Sequence, residues 1–246
     1  MKDCSAVIVE NKRIAKDIWQ MVLGNMETEH IKPGQFVNIK IEGTFLRRPI
    51  SICDWDTKER TLTLLYKVVG NGTKILSRKK PGEVLPVLSP LGNGYDINCI
   101  PKHALLVGGG IGVPPMYGLA KCLVAVGKRP QVLLGFPDEE TVFYTEKFRR
   151  LGISAKIHIG GLITDVMTQE LTGTKVPSSR FEYVCSCGPT AMLQAVSKLA
   201  EDGQFSFESR MGCGFGACMG CTCKTKYGNK RICKDGPVLK KSQIIW

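Results

Sequence analysis

Four cysteines stand within the fifteen residues MGCGFGACMGCTCKT, 211–225, and a fifth, Cys233, follows shortly after. Cys213, Cys218, Cys221 and Cys233 form the pattern C-x4-C-x2-C, with eleven residues before the fourth cysteine. This is the plant-type spacing by which four thiolates hold the two irons of a 2Fe-2S cluster. Structural zinc, the competing metal, commonly takes two CxxC pairs or a mixed Cys/His set. Here Cys218 and Cys221 make the one CxxC pair, and no histidine follows His158. Gly212, Gly214, Gly216 and Gly220 are expected to supply the positive φ angles that a loop wrapped round a cluster needs. Cys223 fits no ligand spacing and is expected to be buried beside the site. A zinc-binding, non-redox interaction protein is the alternative of another class.

A cluster carries one electron and needs a donor and an acceptor. The segment ALLVGGGIGVPPMYGLAKCL, 104–123, reads as strand, glycine turn and helix. Gly108, Gly109, Gly110 and Gly112 could let backbone N–H groups and a helix N-terminus meet a pyrophosphate. The motif departs from G-x-G-x-x-G because Pro115 holds the third glycine position counted from Gly110, and such a turn can also simply join strand to helix. The following strand QVLLGF runs into PDEE, 137–140, where acidic residues would suit a ribose 2′-hydroxyl and repel a 2′-phosphate, favouring NAD over NADP. A solvated acidic turn is the other reading. In YVCSCGPTAML, Cys187, Gly188 and Pro189 would sit at a strand's carboxyl end, facing the crevice where open α/β sheets bind ligands. Cys187 would then line a nicotinamide pocket; a buried thiol and a helix-starting proline are the plainer reading.

Three kinds of sequence must position these groups. Residues 1–98 read as short β-branched runs, SAVIVENK, QFVNIKI and TLTLLYKV, punctuated by Gly and Pro, which predicts an antiparallel barrel. Residues 99–206 alternate apolar strands with helical segments, which predicts a parallel sheet covered by helices; PTAMLQAVSKLAEDG reads as the last helix. Residues 207–246 are rich in Gly and Cys and are expected to hold little regular structure. The fold class is thus α/β plus all-β, with a small C-terminal cluster region.

Composition narrows the partners. The chain has 246 residues, 43% of them hydrophobic and 23% charged, which suits a globular protein. Its formal charge of +12 is spread through small groups such as LRR, RKK and LKK, so no nucleic-acid partner is expected. The longest uncharged stretch, Ala104–Ala120, is broken by GGG and PP and predicts no membrane span. The apolar run Ala6–Val9 is too short for an export signal, so a reducing, cytoplasmic setting is expected, with eleven cysteines kept as thiols or ligands.

A nicotinamide exchanges electrons in pairs and a cluster singly, which calls for a flavin between them. RPIS, GNGT, VGGGIGVPP and CGP occur in an order that resembles the ferredoxin–NADP reductase superfamily. The endings ESRMGCGFGACMGCTC and RICKDGP are similar to those of the electron-transfer subunits of class 1B dihydroorotate dehydrogenases. The resemblance implies FAD at Arg48, Pro49, Ile50, Ser51, Leu65, Tyr66, Lys67, Gly72 and Thr73. The Arg48 guanidinium would face the diphosphate, Ser51 would hydrogen-bond the flavin ring, and Tyr66 or its neighbours would lie against it. The resemblance also implies a partner subunit carrying FMN, which oxidises dihydroorotate in de novo pyrimidine synthesis, within a heterotetramer of two copies of each. Electrons would then pass through the 2Fe-2S cluster and FAD to NAD. A reductase subunit of a hydrogenase-type or ferredoxin-linked complex is the alternative. For the terminal Trp246 an ordinary packing role is expected.

Overall fold

In the last of the N-terminal strands, and over part of the first, buried side chains recur at every second position, with the intervening ones turned outward. The computed structural model describes residues 1–173 and 181–246. In it β1 (Lys2–Ala15), β2 (Ile18–Gly24), β3 (Phe36–Ile39), β4 (Arg48–Asp56), β5 (Thr61–Lys67) and β6 (Val84–Leu91) close into an antiparallel barrel, in the order β1-β2-β5-β4-β3-β6. Closure removes the unpaired edges that would otherwise template aggregation. Ile8, Met21, Leu23, Ile39, Ile52, Leu62, Leu64 and Val87 fill the interior. The GNGT segment opens a short helix, α1 (Asn71–Leu76). There Thr73 Oγ1 accepts the backbone N–H groups of Val69 and Gly70 at 3.0 and 3.2 Å.

The second unit alternates strand and helix. Its strands are β7 (Leu105–Gly109), β8 (Gln131–Phe136), β9 (Ala155–Ile159), β10 (Phe181–Cys187) and β11 (Ala200–Ser206), all parallel. Its helices are α2 (Val113–Ala125), α3 (Thr145–Arg150), α4 (Ile163–Gly173) and α5 (Thr190–Lys198). The C-terminal region adds a hairpin, β12 (Thr222–Thr225) with β13 (Gly228–Arg231), and a last strand, β14 (Val238–Lys240). The sheet order is β14-β11-β10-β7-β8-β9, with β14 antiparallel to β11. From β7 the chain steps outward through β8 to β9, and then β10 returns to the other side of β7. The carboxyl ends of β7 and β10 therefore form a switch point, where a sheet of this kind opens a crevice for ligands.

Two sequence expectations need correction. PTAMLQAVSKLAEDG is not one helix: α5 ends at Lys198, and Ala200 already belongs to β11. The apolar helical period stops at Leu199, and pairing with β10 makes a strand of the residues beyond it, with Gly203 opposite Val184. Gly203 has no room for a side chain, because a Cβ there would lie 2.0 Å from the Val184 carbonyl oxygen. The C-terminal region is also more regular than expected. Its strands are three or four residues long and rich in Lys and Gly, so they carry no readable alternation. Among the described residues no helix is long and apolar enough to cross a membrane.

The barrel and the sheet share one core. Helix α2 is buried along most of its length, and Pro114 and Pro115 occupy its first turn, where no intrahelical N–H is required. Gly118 lets α2 reach strand β4: a Cβ there would meet the Cys53 carbonyl oxygen at 2.7 Å. One turn away, Lys121 Nζ pairs with Asp54 Oδ1 at 2.6 Å. Tyr144 donates its hydroxyl to Gln20 Oε1, and Tyr95 donates to the Ser186 carbonyl, each at 2.9 Å. A Gly118→Val variant should therefore unfold at lower denaturant concentration, with a loss of about 1–3 kcal/mol from overpacking. Equilibrium urea unfolding measures this, and an unchanged midpoint would show that α2 does not seat tightly on the barrel.

Candidate functional site

Two cavities lie where barrel and sheet meet. The barrel cavity, about 350 Å³, is walled on one side by Arg48, Pro49, Ile50 and Ser51 of β4, by Leu65, Tyr66 and Lys67 of β5, and by Thr73 of α1. Cys187, Ser206, Phe207, Glu208 and Met211 close the other side. The sheet cavity, about 490 Å³, lies over the carboxyl ends of β7, β8 and β9. Its wall includes Gly109, Gly110, Phe136, His158, Gly160, Gly161, Pro189 and Met192. Both volumes suit small organic ligands, whose pockets run from roughly 300 to 1,000 Å³. Lys67, Ile111 and Glu208 line both cavities, so ligands in the two would meet there.

Of the residues that the resemblance assigns to FAD, all but Gly72 line the barrel cavity. Gly72 lies beneath Arg48 instead; a Cβ there would meet Arg48 Nε at 2.4 Å. The guanidinium, which also donates to the Leu46 carbonyl, is thus laid against the α1 turn. Tyr66 departs from expectation. Its side chain is only 1% exposed and packs in the barrel core, and its hydroxyl donates to Asn11 Oδ1 at 2.9 Å. Its hydroxyl is spent on the barrel, while the residue still lines the cavity beside Leu65 and Lys67.

The glycine turn and the CGP turn do converge, with Cys187 opposite Gly108 in the β10–β7 register. Gly109, Gly110 and Pro189 line the sheet cavity, whereas Gly108, Gly112 and Gly188 pack behind it. A Cβ on Gly112 would lie 2.2 Å from the Cys187 carbonyl oxygen, so only glycine allows α2 to start so close to β10. Cys187 faces the barrel cavity, where burial and the nearby Glu208 charge push its thiol up to about 12 and keep it protonated. It was expected to line a nicotinamide pocket; it lines the barrel cavity together with Ile111 and Glu208, the residues that the sheet cavity shares. Two of the three PDEE carboxylates are engaged within the chain. Asp138 Oδ1 accepts the Thr141 N–H at 3.0 Å to cap a 3-10 turn, Glu140 pairs with Lys16, and this turn lends the cavity Pro137 and Thr141.

Two cavity residues escaped sequence reasoning, His158 and Glu208. Glu208 lies two residues beyond the end of β11, exposed at the junction of the two cavities. The protein around it withholds water from the charged form and holds its carboxyl above the usual carboxylate range. The available signal was its place one residue beyond Phe207, at a strand's carboxyl end.

The cysteine loop begins two residues beyond Met211 of the barrel cavity, so Cys213 lies within roughly 7 Å of chain from that wall. Asn38 of β3, fully buried, donates its Nδ2 to the Cys213 carbonyl at 3.2 Å. Arg231 pairs with Asp235 at 3.2 Å and donates to the Gly216 carbonyl at 2.9 Å, tying the loop to the hairpin. Positive φ falls at Gly214, Gly216 and Met219, not at Gly212 or Gly220. Gly212 has another use: a Cβ there would crowd the Cys218 thiol at 3.2 Å, whereas one on Gly220 would make an ordinary contact with it at 3.5 Å. Cys223 is half-buried on β12 against the same core as Cys221 and Cys233, and Trp246 stacks edge-on to Phe205 at 5.6 Å.

The thiols associate in two pairs. Cys213 Sγ accepts the Cys218 N–H at 3.5 Å and Cys218 Sγ accepts the Cys213 N–H at 3.4 Å. Cys221 Sγ accepts the Cys233 N–H at 3.4 Å. Burial opposes ionisation of Cys213, but the N–H groups of Cys218 and Phe215, the Cys218 thiol and the Ala217 N–H bring it down to about 6. Burial, the Cys221 thiol and the charges at Cys221 and Cys213 push Cys233 up to about 12. Among the described residues these thiols come together in pairs and in no group of three or more placed to hold a metal ion.

The geometry accords with comparison to known proteins. Residues 208–245 match the family model described as the iron-sulfur cluster binding domain of dihydroorotate dehydrogenase B. The chain is 42% identical, over 99% of its length and 98% of the relative's, to the dihydroorotate dehydrogenase B (NAD+) electron transfer subunit of Fusobacterium nucleatum subsp. nucleatum. It is 39% identical to the subunit of the same name from Geobacillus sp. strain WCH70, over 100% and 99% of the two chains. The chain belongs to this family of electron transfer subunits. Among solved structures, one described as an NADH-dependent reduced ferredoxin-NADP oxidoreductase matches with a TM-score of 0.86 and 26% identity, covering 99% of this chain and 90% of that one. Phthalate dioxygenase reductase shares the fold, with a TM-score of 0.66 at 22% identity over 84% and 70% of the chains.

Two measurements check this site. Iron and acid-labile sulfide should each approach about two per chain, and Cys233→Ser should lose them; full retention in single Ser variants at all four positions would remove the ligand assignment. Glu208 gives a pH test. Its folded pKa is raised, so its contribution to stability is present below the ordinary value of about 4.3 and is lost as pH rises through the folded pKa. The melting temperature of Glu208→Gln relative to the parent should therefore rise as pH increases above the ordinary carboxylate range. A difference that does not change with pH would show the carboxyl to be solvated.

Proposed function

We propose that this chain carries electrons between a partner FMN-bearing dihydroorotate dehydrogenase subunit and NAD, in pyrimidine (UMP) biosynthesis. The observation that carries the reading is the contiguity of three places: the cysteine loop, the barrel cavity and the sheet cavity, joined through Met211 on one side and through Lys67, Ile111 and Glu208 on the other. Bound FAD would convert between paired and single electrons, and a 2Fe-2S cluster would relay them singly.

The chain's own residues then have distinct tasks. Arg48, Pro49, Ile50, Ser51, Leu65, Lys67, Gly72 and Thr73 shape the FAD site, with Arg48 offering its guanidinium to phosphate and Tyr66 supplying wall and backbone. Gly109, Gly110 and Pro189 contact NAD, while Gly108, Gly112 and Gly188 let the turns approach closely enough to form its bed. Cys213, Cys218, Cys221 and Cys233 hold the cluster. Cys187, held neutral, and Glu208 border the place where nicotinamide would meet the flavin. Residues 1–98, 99–206 and 207–246 divide this work as flavin, nucleotide and cluster regions. Cys218 is exposed beside Phe215 and Met219, so the cluster loop is open to an external partner. All eleven cysteines are free, which supports a cytoplasmic setting. A complex of two copies of each subunit is part of the same reading.

The chain with FAD and cluster intact should pass electrons from NADH to an artificial dye while leaving dihydroorotate untouched. Adding the FMN-bearing partner should restore NAD reduction by dihydroorotate, and removing the cluster should abolish that coupled rate while sparing some NADH-to-dye activity. Stopped-flow mixing of the isolated subunit with dihydroorotate decides the matter; rapid bleaching of its flavin would place the substrate site on this chain and overturn the assignment.

A further inference from the structure

Of the six barrel strands, β3 alone is buried at every position. Val37 and Ile39 fill the barrel interior, so Phe36 and Asn38 lie on the outer face, where Phe36 shares a core with Met211, Cys221 and Cys233. In the β3–β4 register Phe36 stands opposite Ser51 and Asn38 opposite Pro49, and residues so paired share a face of the sheet. Phe36, Pro49 and Ser51 all line the barrel cavity. Asn38, the fourth of this group, lies under the cysteine loop. Besides the bond from its Nδ2 to the Cys213 carbonyl, it has Gly214 laid against it: a Cβ on that glycine would stand 2.3 Å from Nδ2. The amide nitrogen must face the carbonyl, because two oxygens there would both be acceptors. Oδ1, in turn, is sealed from solvent and has no hydrogen-bond partner among the described residues. An apolar side chain of the same shape would fill this place without leaving a buried acceptor unpaired, so the bond donated to the loop is what the amide adds.

We infer that Asn38 is a positioning residue, which fixes the Cys213 end of the cysteine loop to the strand that walls the barrel cavity and so sets the separation of cluster and flavin. The inference rests on the electron-transfer reading of the site, and it gives Asn38 no contact with either cofactor. Phe36 and Asn38 are two residues apart, about 7 Å along an extended strand, so one rigid element carries both the cavity wall and the anchor of the loop. Arg47 braces that element, its Nη1 donating to the Asn38 carbonyl at 3.4 Å.

The test uses the chain loaded with FAD and cluster, and variants that remove the donor at nearly constant shape, Asn38→Leu and Asn38→Asp. Each should release iron to bathophenanthroline at least about fivefold faster than the parent, the scale of one lost hydrogen bond. Flavin content and the rate of flavin reduction by NADH should be unchanged. Onward reduction of the cluster, followed by freeze-quench electron paramagnetic resonance, should slow. Gly214→Ala disturbs the same contact from the loop side, leaves the barrel intact, and should speed iron release with flavin retained. Combined with Asn38→Leu it should release iron no faster than the faster single variant, because one contact cannot be lost twice. Parental iron release in the Asn38 variants or in Gly214→Ala would overturn the inference, as would additive effects in the double variant. Loss of flavin in step with iron in the Asn38 variants would also overturn it, since the residue would then serve the barrel alone. A parent chain that takes up no iron would instead count against the electron-transfer reading itself.

Discussion

The seating of helix α2 on strand β4 sets the geometry on which the rest depends. Helix and strand approach so closely at Gly118 that no side chain fits between them and the Cys53 carbonyl, and the Lys121–Asp54 pair marks the same contact. Strand β4 carries one wall of the barrel cavity, and the turn before α2 carries one wall of the sheet cavity. A shift of α2 along β4 would therefore separate the two cavities at Ile111. Electron exchange between neighbouring cofactors depends on short, fixed separations, so a rigid shared core serves the proposed chemistry better than a hinge would.

A second set of contacts does the same for the cysteine loop. Strand β14 adds an antiparallel edge to the parallel sheet through β11, and Asn38 reaches from the barrel to the Cys213 carbonyl. Between them the loop is held to both larger units, while Cys218, Phe215 and Met219 remain at the surface. One end of the site is thus buried against the barrel and the other open. That asymmetry suits a carrier that receives electrons from outside and passes them inward.

Burial also sorts the titratable groups. Cys187 is held as a neutral thiol, and Glu208 is biased toward its protonated form at the same junction. Both effects come mainly from withholding water from an anion, the environment a neutral ring system occupies most readily. At the cysteine loop the balance differs, because backbone N–H groups converge on the Cys213 sulfur.

The amino-acid sequence by itself determined the features that depend on neighbours along the chain. Ligand spacing among Cys213, Cys218, Cys221 and Cys233 is a local property, and so are the switch from period-two strands to alternating strand and helix near residue 103 and the order of the motifs. These sufficed for the fold class and the family. Only the tertiary structure decided which side chains face the cavities. Tyr66 was turned into the barrel core by the alternation of β5, and Cys187 came to line the barrel cavity at the end of β10. Asp138 and Glu140 were drawn off by a cap and an ion pair, while Glu208 and His158, unremarkable in sequence, came to line the cavities because separate strands end there. Spacing along the chain says which residues could act together, whereas strand register and the packing of barrel on sheet set the direction of each side chain, and those arise from contacts between residues far apart in sequence.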